Sequence, residues 1–220
     1  MKYPNYKTYE ILYKNHFKRT PMDLILKAGL NLGDTIFDVC GGGGRLSSMA
    51  CDLGYSVVYL DAEKRMMSSE LNEKNIIYFN LPIEKFLKEE SLKYKEYFKA
   101  IFCQQAINYW FNNIDMKDIS NLLKHRGKFI FNTFNRKPSE EKRIKNYNIN
   151  DIDYSEVINF KNNKIYHIQR CRNLQEHKTV FPWISEEEFL NKLNPYFSVD
   201  IENDKLTSIY ICTKRKEELL

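Results

Sequence analysis

The sequence predicts an α/β domain: a mainly parallel sheet with helices on both faces, ended by an antiparallel strand pair and carrying a small inserted β lobe. Three observations predict it. Apolar strand-like runs alternate with amphipathic helical stretches between residues 34 and 133. Four of the eight glycines stand together in Cys40-Gly41-Gly42-Gly43-Gly44, where the first such run hands over to a helix. The last two runs are joined by Glu202-Asn203-Asp204-Lys205 alone, too short for a parallel crossover of about a dozen residues.

The elements follow in chain order. Thr20-Pro21 reads as the cap and first turn of a helix whose apolar face is Leu24, Ile25 and Ala28 and whose stop is Gly29. Upstream, Tyr6, Tyr9, Tyr13 and Phe17 form a spaced aromatic row, so residues 1–33 are expected to be a helical arm or cap. Strands are expected over 35–40, 55–61, 75–80, 98–103 and 128–133. Between them, 45–54 carries Leu46, Met49, Ala50 and Leu53 at helical spacing before Gly54. A helix over 64–74 carries Met66, Met67 and Leu71; one over 83–97 carries Phe86, Leu87 and Leu92; one over 115–125 carries Ile119, Leu122 and Leu123, ended by Arg126-Gly127.

The pattern changes after residue 133. Residues 134–183 contain charged linker and then two strand-like runs, 154–160 and 165–171, around Asn162-Asn163, expected as an inserted β-hairpin lobe. A helix then starts at a capping box of Ser185 and Glu188, with Ile184 and Phe189 at the staple positions. Strands over 196–201 and 206–213 close the chain.

Composition narrows the partners. At 220 residues and 43% hydrophobic the chain suits one domain, 1–220. Thirty-four Lys and Arg against 29 Asp and Glu give +5, spread along the chain, so a nucleic-acid partner is not indicated. Five cysteines, at 40, 51, 103, 171 and 212, form no CxxC pair and fit neither a disulfide framework nor a zinc site, so no metal is expected. No apolar run approaches the ~20 residues of a membrane span, and the N-terminus lacks an apolar signal region. A cytoplasmic location is the expectation.

Asp38-Val39-Cys40-Gly41-Gly42-Gly43-Gly44, with Asp61 ending the next strand 23 residues after Asp38, resembles the acidic-x-Gly-x-Gly-x-Gly motif of the class I S-adenosylmethionine-dependent methyltransferases. The resemblance runs over about residues 20–133 and resumes in the closing helix and hairpin. It implies a Rossmann-like, seven-stranded sheet with one antiparallel strand. It also implies S-adenosylmethionine (product S-adenosylhomocysteine) bound across the carboxyl ends of the first, second and fourth strands. Asp38, Gly41, Gly42 and Gly44 then belong to the cofactor turn. Cys40 departs from the family by replacing the first glycine; its Cβ is expected to keep φ negative there. By the same resemblance Asp61 accepts the ribose hydroxyls, with Ala62 beside it; Met66 rests on the adenine; Asn80-Leu81 lies beside the adenine amino group; and Gln104, after the fourth strand, contacts the methionine portion.

Methyl transfer is an in-line displacement that needs alignment and exclusion of water. The resemblance implies that the 134–183 lobe covers the acceptor site; a hydroxyl or amine acceptor also needs a base, for which Tyr109 after the fourth strand and His167 and His177 in that lobe are then candidates. Tyr166, Trp183 and Trp110 are candidates for an apolar acceptor pocket. With one modest insert, the expected partner is a small-molecule methyl acceptor: a sugar, a phosphorylated metabolite or a secondary metabolite. Three rivals stand beside this reading. A nicotinamide-dependent oxidoreductase uses a similar turn, but Leu46 or Ser47 would occupy its third glycine position. A nucleic-acid or protein methyltransferase is a second. A catalytically silent module of the same fold is a third.

Overall fold

The computed structural model describes residues 21–63, 71, 74–134, 143–149, 152–171, 174–203 and 207–216. The expected aromatic arm, most of the 64–74 helix and Met66 lie outside the described residues. In chain order the elements are α1 (Pro21–Ala28), β1 (Thr35–Val39), α2 (Arg45–Asp52), β2 (Ser56–Leu60), β3 (Ile76–Phe79), α3 (Ile83–Glu89), β4 (Phe98–Gln104), α4 (Ile107–Trp110), α5 (Met116–Leu122) and β5 (Leu123–Phe134). Then come β6 (Arg143–Ile149), β7 (Ile152–Lys161), β8 (Lys164–Cys171), β9 (Leu174–Pro182), α6 (Glu186–Leu193), β10 (Phe197–Asn203) and β11 (Thr207–Lys214).

Seven strands form one sheet in the order β10-β11-β5-β4-β1-β2-β3. β11 runs antiparallel to both of its neighbours, and the pairs β4–β5, β1–β4, β1–β2 and β2–β3 are parallel. Because alternate residues of a strand face opposite ways, each strand serves two cores. Ile36, Val57, Ala100, Phe102 and Ile130 pack with Leu24, Ile25 and Ala28 of α1 and with Leu46 and Ala50 of α2. Phe37, Val39, Val58, Ile101 and Phe129 pack on the other face with Phe86 of α3, Ile119 of α5 and Phe189 of α6. A sheet covered on both faces needs strands without polar alternation, which is why β1 and β4 read as continuous apolar runs.

The predicted helix ends hold in two cases. Gly29 leaves α1 at φ 62°. α6 has the full capping box, the Ser185 side chain accepting from the Glu188 amide while Glu188 accepts from the Ser185 amide, with Ile184 and Phe189 buried together. Two helices are shorter than predicted. The 83–97 helix stops at Glu89, and Leu92, assigned to its apolar face, is 90% exposed. Tyr94 is buried instead, stacked on Phe98 at 5.4 Å, so turns carry the chain into β4. The 115–125 helix stops at Leu122, since Leu123 pairs with Phe98 at the start of β5. There Arg126 takes φ 55° and a Cβ on Gly127 would lie 2.8 Å from the Lys124 carbonyl.

The segment after β5 holds more strand than the sequence pattern shows. The expected hairpin is β7–β8, turning through Asn162 and Asn163 at φ 51° and 57°. β6 and β9 extend it to a four-stranded antiparallel sheet, order β6-β7-β8-β9. β6, Arg-Ile-Lys-Asn-Tyr-Asn-Ile, is rich in Lys, Arg and Asn, and β9 opens on Leu-Gln-Glu-His-Lys, so polar side chains hide the strand period in both. Among the described residues, no helix is long and apolar enough to cross a membrane.

Candidate active site

The strand order reverses between β1 and β4, and the crevice outside the carboxyl ends of strands at such a switch point is where open α/β sheets bind ligands. The turn between β1 and α2 occupies it. Cys40 has φ 56°, which overturns the expectation of a negative value; Gly42 has φ 55° and Gly44 φ 71°. The left-handed backbone at Cys40 lets the Gly41 amide turn back and donate to the Leu60 carbonyl at 3.1 Å, tying the turn to the end of β2. An L-residue pays about 1–2 kcal/mol for that conformation. Gly41 needs no special φ, yet a Cβ there would lie 2.4 Å from the Tyr59 ring and 2.8 Å from an Asp38 carboxylate oxygen. Lack of a side chain is what lets the turn lie flat on β1 and β2.

Two carboxylates flank this turn. Asp38 is 1% exposed, and its Oδ2 accepts from the Ser47 hydroxyl at 2.6 Å. Burial pushes its pKa up to about 6, opposed by the Ser47 hydrogen bond and assisted by Asp61. Asp61, just past β2, accepts from the Gly42 amide at 2.9 Å through Oδ2 and from the Glu63 amide at 2.8 Å through Oδ1. Burial raises its pKa as well, while those two amides lower it. Tyr59 donates to the Gly42 carbonyl at 2.5 Å, so the side chains of Tyr59 and Asp61 hold one peptide loop from both sides. The Asn80 side-chain amide donates to the Asp61 carbonyl at 3.0 Å, bringing the end of β3 to the same place. Leu81 follows, packed on the core, and Ala62 is exposed beside Asp61.

The segment after β4 makes the opposite wall. Gln104 ends the strand; Gln105 takes φ 55° and its amide donates to the Asn132 side chain at 3.0 Å. Asn108 is buried, accepting from Thr133 at 2.8 Å and donating to the Pro182 carbonyl at 3.2 Å. This relay ties β5, α4 and the end of β9 together. Tyr109, 41% exposed, sets its ring 5.3 Å from Phe181, and Phe134 lies parallel to Phe181 at 6.5 Å.

Asp38, Cys40, Gly41, Gly42, Gly44, Asp61, Asn80 and Leu81 thus gather at the carboxyl ends of β1, β2 and β3, with Gln104 at the end of β4. His167 stands on the four-stranded lobe, its Nε2 2.5 Å from Glu156 Oε1. His177 pairs with Gln169 in β9, and its side chain lies outside what is described. Trp110 is buried in the main core near Phe129. Tyr166 alternates with Ile165 and His167, so it lies on the other face of the lobe, with Lys178 over its ring. Sequence reasoning missed Tyr59, Ser47, Asn132 and Glu156. Tyr59 had a signal: two residues before Asp61 on a strand, it shares the face of that carboxylate.

No protein-family model matches the chain. A stretch of 110 residues is 31% identical to a ubiquinone biosynthesis O-methyltransferase of Glaesserella parasuis serovar 5 (strain SH0165). It covers 47% of each chain, so the match spans about half the length of this curated relative. Two solved structures are similar over nearly the whole length. One is an S-adenosylmethionine-dependent methyltransferase from Clostridium acetobutylicum ATCC 824, with TM-score 0.70 at 16% identity, covering 96% of this chain and 97% of that one. The other is the amino pentose methyltransferase CalS10 from Micromonospora echinaspora, with S-adenosylmethionine bound: TM-score 0.69 at 11% identity, covering 98% and 100%. At such identities the likeness establishes the fold.

Proposed function

We propose that this chain, whose fold is that of the class I S-adenosylmethionine-dependent methyltransferases, moves a methyl group from S-adenosylmethionine to a hydroxyl or amine of a small molecule. The observation that carries the reading is the joint hold on the glycine turn. Asp61 at the end of β2 accepts from Gly42 while Asp38 at the end of β1 lies buried beneath, so two carboxylates converge on the switch point. The residues present fit the cofactor. Each carboxylate oxygen of Asp61 keeps a lone pair beyond the amide it binds, which suits a ribose diol. The Tyr78 hydroxyl, buried and without a hydrogen-bond partner among the described residues, has its pKa raised by burial and then by Asp61 nearby, and suits a polar ligand too. Asp38, raised to about 6, is relieved when a cationic ligand arrives.

The cofactor supplies a methyl group made electrophilic by a positive sulfur. Everything else falls to the chain: Cys40 to Gly44 approach the ligand with backbone, Asp61 and Ala62 hold the sugar, Asn80, Leu81 and Met66 border the base, and Gln104 borders the methionine portion. Tyr109, Phe134 and Phe181 exclude water on the acceptor side, where the lobe forms a cover. Tyr109, His167 and His177 are the candidate bases. The acceptor is a sugar, a phosphorylated metabolite or a secondary metabolite; the amino pentose methyltransferase among the structural neighbours supports a sugar amine.

The nicotinamide alternative is disfavoured by packing. Leu46 and Ser47, at the position where a dinucleotide turn needs its third glycine, are both buried, and Ser47 is bonded to Asp38. A cytosine-C5 reaction through Cys103 is disfavoured as well, because that thiol is fully buried and burial pushes its pKa up. The acceptor is tested by incubating the protein with methyl-labelled S-adenosylmethionine and fractionated extract of its own organism. Label in a small molecule is the expected result, and label found only in RNA or protein overturns the acceptor class.

A further inference from the structure

The lobe carries a paired base that the sequence shows only in half. His167 on β8 and Glu156 on β7 meet at 2.5 Å, with side chains only 13% and 11% exposed. Cross-strand partners place them on one face: Ile165 pairs with Phe160 and Phe181, His167 with Ile158 and Thr179, and Glu156 stands two residues from Ile158. That face begins with the buried cluster of Phe160, Ile165 and Phe181. Phe181 touches Tyr109, which follows the fourth strand, so the same face overlooks the acceptor side of the crevice. His167 is one step further out along β8, about 7 Å by the spacing of alternate strand residues.

A buried ion-pairing couple is a poor way to fill a sheet face, because apolar side chains of the same size pack as well without desolvating charge. We propose that Glu156 is a positioning residue for His167, accepting its Nε2–H and so leaving Nδ1 as the ring's proton acceptor. This rests on the methyltransferase reading above. In the step, the bond from acceptor oxygen or nitrogen to the methyl forms as the sulfur–methyl bond breaks, whose electron pair stays on the sulfur as a neutral thioether. The acceptor's own proton goes to Nδ1 and its bonding pair stays on the heteroatom. The imidazolium so formed is held against the Glu156 carboxylate, as in other base–orienter pairs.

The direct test is long-range 1H–15N correlation on the full chain, with the His167 ring assigned by its loss in His167→Gln. The expected result is the Nε2–H tautomer in the unmodified protein and a mixture of tautomers in Glu156→Gln. An Nδ1–H tautomer in the unmodified protein, or the same single tautomer in a folded Glu156→Gln, overturns the proposal. On the acceptor that labelled extract identifies, Glu156→Gln is expected to lower kcat about tenfold and His167→Gln about a hundredfold or more. Affinity for S-adenosylhomocysteine by calorimetry should stay within about twofold of the unmodified protein's. Unchanged kcat in Glu156→Gln overturns the proposal. Failure of the unmodified protein to bind S-adenosylhomocysteine would sink the methyltransferase reading instead, with the tautomer still reporting on the pair.

Discussion

At the residue scale, Asp38 and Cys40 are held in states that ordinary packing would avoid. A carboxylate whose pKa stands at about 6 in the fold and 3.8 outside it costs roughly 3 kcal/mol of stability when ionised at pH 7. The folded chain keeps a proton on Asp38 that the unfolded chain has lost between about pH 4 and pH 6, so this group's contribution to stability falls as pH rises through that window. Asp38→Asn is therefore expected to raise the melting temperature of the cofactor-free chain at pH 7, by several degrees, and to remove that pH dependence. The same variant should weaken S-adenosylmethionine binding at least tenfold, and calorimetry beside thermal unfolding checks both halves. Cys40 gives the second case: at φ 56° glycine fits without strain, so Cys40→Gly should leave thermal stability equal or raise it by up to about 1 kcal/mol. Chemical denaturation reads that change.

Among the elements, the turn between β1 and α2 and the relay under the lobe set the two walls of the crevice. Gly41→Ala would drive a methyl group into Tyr59 and Asp38 at 2.4 and 2.8 Å, so the turn must lift off β2. Its expected cost is about 1–3 kcal/mol of overpacking together with loss of S-adenosylhomocysteine binding, seen by denaturant titration and calorimetry. On the other wall, Asn108→Ala strands the Thr133 hydroxyl and the Pro182 carbonyl. Faster amide exchange at the carboxyl end of β9, with β1 to β4 unchanged, is the expected reading. How far these elements were legible depended on local signals. The glycine turn, the Ser185 capping box and the short link between β10 and β11 are written into neighbouring residues. β6 and β9 escaped because they are sheet strands only through their partners, and the helix expected to reach His125 ends early because Leu123 finds a partner in Phe98.

On the scale of the whole molecule, a mainly parallel sheet closed by an antiparallel pair follows from two facts visible in the sequence, alternation of strand and helix and a final connection too short to cross over, whereas the strand order that sets β4 beside β1 is written in neither. The candidate site was legible in position where a single carboxylate stands at a strand end, as Asp38 and Asp61 do. It was not legible where separate strands meet, as Glu156 with His167, because neither partner carries a local mark of the other, and Tyr59 carried a mark only of its own strand face and none of Gly42. All of this turns on the crevice beside β1 and β4 taking an adenosyl sulfur cofactor. Thermal unfolding with S-adenosylhomocysteine or NADH, on the unmodified protein and Asp61→Ala, tests it most directly. A ligand at a hundred times its Kd adds about 2.7 kcal/mol, which for a chain of this length is roughly 5–10 °C. That rise is expected with S-adenosylhomocysteine, with its loss in Asp61→Ala and no rise with NADH; stabilisation by NADH and none by S-adenosylhomocysteine would mean that the crevice takes a dinucleotide instead.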